Sequence, residues 1–227
     1  MSGVAASRVA AIIPAAGLGV RFGAPQPKAF FELAGLTLLT RSALALANHV
    51  DVIVVAVAAD YVANAAQELE TVDAEIHVVV GGATRQESVA AALLVVPIDI
   101  ELVLVHDAAR PLVPGSVIAE VISELADGAE AVVPVLPVVD TIKRVDSNGD
   151  VVETVDRNAL RRVQTPQGFT KELLTEAFAD SKHVATDEAG LVERLGIAIR
   201  TVAGSERAFK ITTPDDIAFA LSLLGEA

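Results

Sequence analysis

The sequence predicts an α/β fold with a mostly parallel central sheet flanked by helices. Three observations support this. Short β-branched runs alternate with helical patterns from Val9 to Val135. Hydrophobic residues make up 52% of the 227 residues while aromatic residues make up only 4%, a mixture typical of buried parallel strands and their covering helices. Finally, strand–helix–strand units connect by right-handed crossovers, which place helices on both faces of the sheet.

The elements follow from local patterns. An apolar run without helical period predicts a first strand over 9–14, and leucine and alanine at helical spacing predict a helix over 37–49. Thr84-Arg-Gln-Glu87 is a capping box that begins an alanine-rich helix to about Val95. Asp215 and Asp216 are assigned to the cap of the final helix, which begins near Pro214. The other predicted strands are 52–57, 76–80, 102–105, 131–135, 198–202 and 209–211, and the other predicted helices are 60–70, 114–126, 171–178 and 186–195.

Residues 138–155 read as a β-hairpin, because Asn148-Gly149 supplies the positive φ angles of a tight turn. An isolated hairpin is only marginally stable in water, so this one is expected to pack on something. We expect the arm, residues 137–158, to clasp a second copy of the chain in a homodimer. The alternative is a hairpin that lies across its own domain. Residues 1–227 as a whole are predicted to form one domain.

Composition limits the possible functions. The chain has no cysteine, which excludes disulfides and thiolate metal sites. Its 30 acidic residues outnumber 17 Lys and Arg, for a net charge of −13, whereas a general nucleic-acid binder needs a basic face. We find neither a leader peptide nor an apolar run of the ~18 residues that a membrane span requires. A cytoplasmic protein that binds no nucleic acid or membrane is expected.

The loop after the first strand has the features of a phosphate site. Ala15, Ala16, Gly17 and Gly19 lack bulk, so backbone N–H groups can approach an anion. Ligands of parallel α/β sheets bind at the carboxyl ends of the strands. Against an acidic background, basic residues in loops near those ends suit a polyphosphate. These residues are Arg21, Lys28, Arg85, Arg110 and Lys210.

Two familiar nucleotide motifs are absent. A dinucleotide fingerprint needs a third glycine where Phe22 stands and an acid about 20 residues further on, and Asp60 is too late. A Walker A loop needs glycine before its lysine, but Pro27 precedes Lys28. A long cationic loop is better explained by a nucleoside triphosphate with a metal. A dehydrogenase remains possible only if this argument is wrong.

Asp107 follows the predicted strand 102–105, where a carboxylate can meet Mg²⁺ that bridges phosphate oxygens. The alternatives for Asp107 are a cap of the next helix or an ion pair with Arg110. His106 is predicted to be a structural neighbour rather than a ligand. Lys210 is either a phosphate-binding residue or a surface lysine whose stem covers apolar neighbours.

Several motifs closely resemble those of the 2-C-methyl-D-erythritol 4-phosphate cytidylyltransferase family, from about residue 9 to the carboxyl terminus. The first motif alone would indicate only the wider nucleotidyltransferase group of sugar-phosphate pyrophosphorylases. The motifs are Pro14-Ala15-Ala16-Gly17-x-Gly19-x-Arg21, Pro27-Lys28, Val105-His106-Asp107-Ala108-Ala109-Arg110-Pro111, Asp140-Thr141-Ile142-Lys143, Val155-Asp156-Arg157-Asn158, Thr165-Pro166-Gln167, Thr186-Asp187-Glu188 and Phe209-Lys210-Ile211-Thr212.

The resemblance implies a Rossmann-like nucleotidyltransferase fold with a protruding β-hairpin arm. It also implies that CTP and methylerythritol phosphate give CDP-methylerythritol and pyrophosphate, with Mg²⁺, in the non-mevalonate isoprenoid pathway. It assigns the following residues. Arg21, Lys28, Lys210 and Arg157 are catalytic; Pro14, Ala15, Ala16, Gly17, Gly19, Gly82, Ala83 and Ser88 bind the nucleotide; Asp107, Arg110, Thr141, Arg157, Thr165 and Thr186 bind the substrate; and Asp107 serves the metal.

The resemblance places Thr141 and Arg157 at the substrate phosphate of the neighbouring subunit. Two positions depart from the pattern of relatives. Ala83 stands where relatives often carry an acid, and Ala208 stands where many carry asparagine, so support for Lys210 has to come from elsewhere. Two rival functions stay open from the residues alone, a ribitol-phosphate cytidylyltransferase and a non-catalytic nucleotide-binding module.

Overall fold

A computed structural model describes residues 7–17, 26–179 and 185–225. Its core is an eight-stranded sheet. The strands of this sheet and of two small hairpins are β1 Val9–Pro14, β2 Glu32–Leu33, β3 Leu36–Thr37, β4 Val52–Val57, β5 Glu75–Val80, β6 Leu102–Val105, β7 Ala131–Pro137, β8 Ile142–Val145, β9 Val151–Val155, β10 Arg161–Val163, β11 Gln167–Thr170 and β12 Arg200–Ala203.

The sheet is mostly parallel, as the sequence predicts. Its strand order is β10-β7-β11-β6-β1-β4-β5. Strand β12 lies outside this order and also pairs with β7. Strand β1 is parallel to β4 and β6, and β4 is parallel to β5. Strands β10 and β11 run antiparallel to their neighbours. The carboxyl ends of β1, β4, β5 and β6 therefore meet at one edge.

Helices cover both faces of the sheet. They are α1 Leu38–Ala47, α2 Val62–Leu69, α3 Arg85–Leu93, α4 Gly115–Ala126, α5 Lys171–Ala179, α6 Glu188–Glu193 and α7 Pro214–Gly225, with 3₁₀ turns at Lys28–Phe30, Ala59–Tyr61 and Glu206–Ala208. None of the helices in the described ranges is both long and apolar enough to cross a membrane.

Strand β1 shows how the two cores form. Its side chains alternate across the sheet, so Ala11 and Ile13 face a core with α1, α2 and α4, whereas Ala10 and Ile12 face a core with α3, α5 and α6. Strand β1 lies between the two cores and is almost entirely buried. The loop that follows β1 is thus anchored to a buried strand in the interior of the sheet.

The predicted hairpin forms, with Ile142 opposite Val155. Asp146 Oδ1 accepts the backbone N–H groups of Asn148 and Asp150 at 2.9 and 3.0 Å, which closes the turn. Most residues of β8 and β9 are exposed. The two strands pair with each other and form a two-stranded sheet apart from the central one, so the hairpin has the form of an arm.

One predicted strand is wrong, and four short strands are not predicted by the sequence. The strand predicted over 209–211 is wrong: a 3₁₀ turn precedes it, and the Ile211 N–H donates to the Ala109 carbonyl at 2.8 Å. This segment crosses the end of the sheet instead of pairing along a strand. Strands β2, β3, β10 and β11 carry no pattern that predicts them, and β11 lies between β6 and β7.

Candidate active site

Three loops at the carboxyl edge of the sheet enclose a cavity of about 470 Å³. They follow β1, β5 and β6, as the sequence predicts. The lining residues are Pro14, Ala15, Ala16, Gly17, Lys28, Ala29, Gly82, Ala83, Thr84, Arg85, Ser88, Asp107, Ala108, Ala109, Lys210 and Thr212.

The predicted nucleotide-binding residues lie together in this cavity. The first loop approaches the loop after β5 so closely that a Cβ on Gly81 would lie 2.8 Å from the Ala16 Cβ. Small residues are therefore required for the two loops to form adjacent walls. Gly19 and Arg21 lie outside the described residues.

The loop after β5 is held by helix α3. The Gly82 N–H donates to Ser88 Oγ at 3.2 Å, and the N–H groups of Ala83 and Thr84 donate to Glu87 Oε2 at 2.7 and 3.1 Å. Thr84 Oγ1 accepts the Glu87 N–H in return, which completes the predicted capping box. Because the Glu87 carboxylate serves this loop, Ala83 needs no acidic side chain to fix it.

Asp107 lies among three cations. Its Oδ1 is 3.1 Å from Arg85 Nε, and its Oδ2 is 2.8 Å from Lys210 Nζ and 3.7 Å from Arg110 Nε. The pairing with Arg110 is one of the alternatives that the sequence left open. Lys210, whose neighbour Ala208 cannot support it, is held by Asp107 instead. The carboxylate gathers positive charge at the cavity wall.

These contacts determine the charge of Asp107. Burial raises the pKa of Asp107, but the positive charges of Arg85, Lys210 and Arg110 outweigh burial and hold its pKa well below the usual range. Burial also lowers the pKa of Arg85, but Glu188 and Asp107 raise it above its ordinary value. Asp107 and Arg85 are therefore both ionised at neutral pH.

His106 is a structural residue, as predicted. It is fully buried, with Nδ1 3.0 Å from Thr165 Oγ1 and Nε2 3.3 Å from the Arg110 carbonyl oxygen. Since a carbonyl can only accept, the network assigns the ring proton to Nε2 and makes the Thr165 hydroxyl a donor to Nδ1. Thr165 Oγ1 also accepts the Asp107 N–H at 3.0 Å. Thr165, predicted to bind substrate, thus links His106 to the backbone of Asp107.

The burial of His106 predicts acid sensitivity. Burial lowers its pKa to about 4, below the ~6.5 of an unfolded histidine, so between these values only the unfolded chain binds the proton. The free energy of unfolding should therefore be unaffected by this group above about pH 6.5 and fall by about 3 kcal/mol toward pH 4. Urea unfolding of the wild type and His106→Asn, from about pH 7 to about pH 5, measures this.

The exposed His77 provides the control for that measurement. His77→Asn should keep the pH dependence of the wild type, whereas His106→Asn should flatten it while lowering stability at neutral pH. Equal slopes for all three proteins would contradict the assignment.

The remaining predicted substrate residues are not among those that line the cavity. The Arg110 Nη1 donates to the Ala208 carbonyl at 2.7 Å, and its side chain is mostly buried. Thr186 is exposed just before helix α6. Thr141 and Arg157 line a second cleft of about 440 Å³ on the arm, where Arg157 Nη1 donates to the Val139 carbonyl. Within one chain, the structure does not bring the arm residues into the first cavity.

Glu188 is a residue that the sequence analysis missed. Its Oε1 accepts from Arg85 Nη1 at 2.5 Å, and it is 1% exposed. The sequence indicates for Arg85 only a basic residue near glycines, without a specific role. The Thr186-Asp187-Glu188 motif contains Glu188 and could have drawn attention to it. Once Glu188 is known to be buried, it is expected to have a cationic partner.

The described residues contain no group of three or more His, Asp or Glu side chains that could hold a metal alone. Asp107 offers one carboxylate at the cavity, and both of its oxygens already contact cations. This donor set fits a magnesium ion only if phosphate oxygens and water supply most of its ligands, which is how Mg²⁺ commonly binds with nucleotides.

Residues 9–226 match the family model described as 2-C-methyl-D-erythritol 4-phosphate cytidylyltransferase. Curated proteins of that name from Rhodococcus jostii and Saccharopolyspora erythraea are each 51% identical to this chain. The first alignment covers 96% of both chains, and the second covers 95% of this chain and 99% of the relative.

Solved structures agree in fold. The 4-diphosphocytidyl-2C-methyl-D-erythritol synthase of Anaerococcus prevotii superposes with a TM-score of 0.84 at 29% identity, covering 97% of this chain and 99% of that one. The 2-C-methyl-D-erythritol 4-phosphate cytidylyltransferase of Thermus thermophilus gives a TM-score of 0.78 at 38% identity, covering 95% and 98%. The α/β fold predicted from the sequence is confirmed.

Proposed function

The chain belongs to the 2-C-methyl-D-erythritol 4-phosphate cytidylyltransferase family, and from this premise we propose how its cavity performs the reaction. The protein is a nucleotidyltransferase that transfers CMP from CTP to methylerythritol phosphate and releases pyrophosphate, in the non-mevalonate isoprenoid pathway. One observation carries the assignment to the cavity. The small-residue walls of Pro14–Gly17 and Gly82–Ala83 lie beside the Asp107–Lys210 pair in one space.

The reaction needs charge neutralisation more than proton transfer. An oxygen of the substrate phosphate attacks the α-phosphorus of CTP, and the bond to the bridging oxygen of pyrophosphate breaks. The nucleophile is already anionic near neutral pH, so no general base is required. Two anions have to approach each other, and negative charge grows on the leaving group, so cations and in-line positioning should dominate catalysis.

Lys28 and Lys210 are the residues we assign to the phosphates, with Arg21 as the third. Lys28 and Lys210 both line the cavity. Lys210 is 41% exposed at its side chain although its ammonium group contacts Asp107, so it can reach a ligand while remaining anchored. The role of Arg21 rests on its motif in the sequence.

The backbone walls suit a pyrimidine base. Gly82 and Ala83 use their N–H groups within the loop and α3, so their carbonyl oxygens are the groups that can accept from the cytosine amino group. We propose that such acceptors disfavour uracil, which presents another acceptor at that position. Pro14, Ala15, Ala16, Gly17, Gly19 and Ser88 complete the proposed nucleotide site.

Magnesium is proposed as the cofactor. When bound, it would neutralise charge on the triphosphate as a Lewis acid. Asp107 is the residue that would contribute a ligand. Its first role in this chain is to hold Lys210 and the arginines in place.

The arm is proposed to complete the site in a homodimer. Val139, Val145, Val151 and Val152 of the arm are 53–64% exposed, and such apolar surface favours a partner. In that assembly Thr141 and Arg157 would reach the substrate phosphate of the neighbouring subunit. Light scattering coupled to size exclusion measures the oligomeric state, and a strict monomer at micromolar concentration would refute the clasp.

A cytoplasmic location without nucleic-acid partners is proposed from composition alone.

Arg157→Ala provides a test of this division of roles. We expect the KM for methylerythritol phosphate to rise by roughly 10-fold or more, because one charge-assisted contact to phosphate is lost, while the KM for CTP changes little. Steady-state kinetics with each substrate varied measures both. Arg144→Ala, which removes another exposed arm arginine paired with Glu153, serves as the matched control, and equal changes in both KM values for Arg157→Ala would contradict the assignment.

Pyrophosphate release tests the function itself. The protein is incubated with CTP, Mg²⁺ and either methylerythritol phosphate or ribitol phosphate, and release is followed over time. Turnover with methylerythritol phosphate is expected. If only ribitol phosphate is turned over, ribitol phosphate is the acceptor substrate instead of methylerythritol phosphate. If CTP binds but neither polyol phosphate is turned over, the protein is a nucleotide-binding module.

A further inference from the structure

Arg85 connects the cavity wall to a carboxylate buried behind it. Its Nε donates to Asp107 Oδ1 at 3.1 Å and its Nη1 donates to Glu188 Oε1 at 2.5 Å. The side chain of Arg85 is 28% exposed and lines the cavity, whereas that of Glu188 is 2% exposed. Glu188 is absent from the cavity lining, so its contact with the site passes through Arg85.

The arrangement is costly for the fold. Two neighbouring carboxylates lose their hydration and repel each other, and an arginine between them compensates only with good geometry. Glu188 Oε2 is buried without a hydrogen-bond partner among the described residues. Burial raises the pKa of Glu188, although Arg85 opposes the change. A buried ion pair of this kind is weak evidence for a purely stabilising role, so the effect of Glu188 on Arg85 is the property to explain.

Arg85 also limits the movement of Asp107. Arg85 holds Oδ1 and Lys210 holds Oδ2, at 3.1 and 2.8 Å. The Asp107 backbone N–H is fixed by Thr165. With both oxygens and the backbone engaged, the carboxylate has one orientation, and that orientation determines where the Lys210 ammonium group lies.

We propose that Arg85 is a positioning residue for cytidylyl transfer: anchored by Glu188, it orients the Asp107 carboxylate and thereby places Lys210 at the reacting phosphates. The inference rests on the proposed function, since it requires phosphates at Lys210. Arginine is suited to this role because its planar fork reaches two carboxylates at once, which a lysine cannot do.

Arg85→Ala should lower kcat by about 10- to 100-fold, the usual effect of losing a partner that orients a functional group. The KM for CTP should change little, because Arg85 acts on position rather than on nucleotide binding. Arg85→Lys should be similarly impaired. Glu188→Gln should lower kcat less, and Arg85→Ala/Glu188→Gln should be no slower than Arg85→Ala, since Glu188 acts through Arg85.

The controls separate this role from simple stability. Arg200→Ala removes an exposed arginine that pairs with Glu124 at 2.6 Å. Arg200 does not line the cavity, so this variant should keep the wild-type kcat. Thermal unfolding of each variant identifies protein lost through misfolding, and if Arg85→Ala fails to fold, Arg85→Lys and Glu188→Gln decide the question.

Several results would overturn the proposal. A wild-type kcat in Arg85→Lys and Glu188→Gln would do so, as would a raised KM for CTP with unchanged kcat, which would make Arg85 a direct phosphate ligand. Multiplicative effects in the double variant would remove the link through Arg85. Absence of turnover in the wild type would instead refute the proposed function, so the two failures are distinct.

Discussion

Replacing Lys210 by alanine should lower kcat by about 10²- to 10³-fold, the effect expected when one preorganised cation is removed from a developing negative charge. Lys210 lines the cavity, and its Nζ lies 2.8 Å from Asp107 Oδ2. The lysine is thus held in place before substrate arrives. The reaction depends on positive charge and not on proton transfer. A nearby acid or base therefore cannot compensate for the loss of the Lys210 charge. Steady-state pyrophosphate release measures kcat and both KM values.

Lys171→Ala is the matched control for Lys210→Ala. Lys171 Nζ donates to the Val96 and Pro97 carbonyls, and Lys171 does not line the cavity. Its loss should cost some stability but leave kcat per folded molecule unchanged. Lys210→Arg should recover only part of the activity, because a guanidinium carries the charge in another shape. Wild-type turnover in Lys210→Ala would remove this residue from the mechanism.

The sheet could be predicted because each parallel strand carries its own signal. Strands β1, β4 and β6 are short, apolar and buried on both faces, so burial and β propensity point in the same direction. The helices between these strands carry apolar residues at helical spacing. Because the signals agree, the bounds of these elements lie close to the predicted ones.

Strand β11 could not be predicted in this way. Gln167-Gly168-Phe169-Thr170 contains no β-branched run, and its pairing depends on the neighbours that the fold provides. A Cβ on Gly168 would lie 2.5 Å from Val121 Cγ1, so the glycine permits α4 to pack on this strand. The pairing of β11 and the packing of α4 on it depend on tertiary contacts, which leave no periodic pattern in the sequence.

The candidate site also has a part that the sequence predicts and a part that it does not. The walls at Pro14–Gly17 and Gly82–Ala83 are contiguous in sequence, and strand ends place them together, so their loops could be recognised. The pair of Arg85 with Glu188 joins residues that are 103 positions apart. No local spacing predicts which acid a buried arginine will meet. Ion pairs of this kind become visible only when the fold is known.

Arg110 shows the limit of assignment by motif. Its position in the His-Asp-Ala-Ala-Arg-Pro segment implies a substrate-binding role, which stays a prediction. In the structure its guanidinium serves the protein, through the Ala208 carbonyl and Asp107. Burial lowers the pKa of Arg110, and Asp107 partly restores it. Any contact with substrate would therefore compete with these internal bonds.

Asp107→Asn should affect both activity and stability. The asparagine keeps the shape but leaves Arg85, Arg110 and Lys210 without their shared negative charge, and a buried cluster that loses one partner is destabilised by about 3 kcal/mol. For a chain of this size, that corresponds to a decrease of about 6–12 °C in Tm. We expect kcat to fall by about 10²-fold at the same time, because Lys210 loses the contact that places it.

The pH dependence identifies the charge of Asp107 as the cause. Its pKa is depressed in the folded protein, so its stabilising effect is present above the unfolded value of about 4 and is lost as pH falls through the lower folded value. The difference in unfolding free energy between wild type and Asp107→Asn should therefore be constant near neutral pH and shrink below about pH 4. Asp99→Asn, which breaks a surface pair with Arg8, should change neither kcat nor Tm appreciably. If Asp107→Asn behaved like Asp99→Asn, the three cations would not depend on this carboxylate, and the placement of Lys210 would need another explanation.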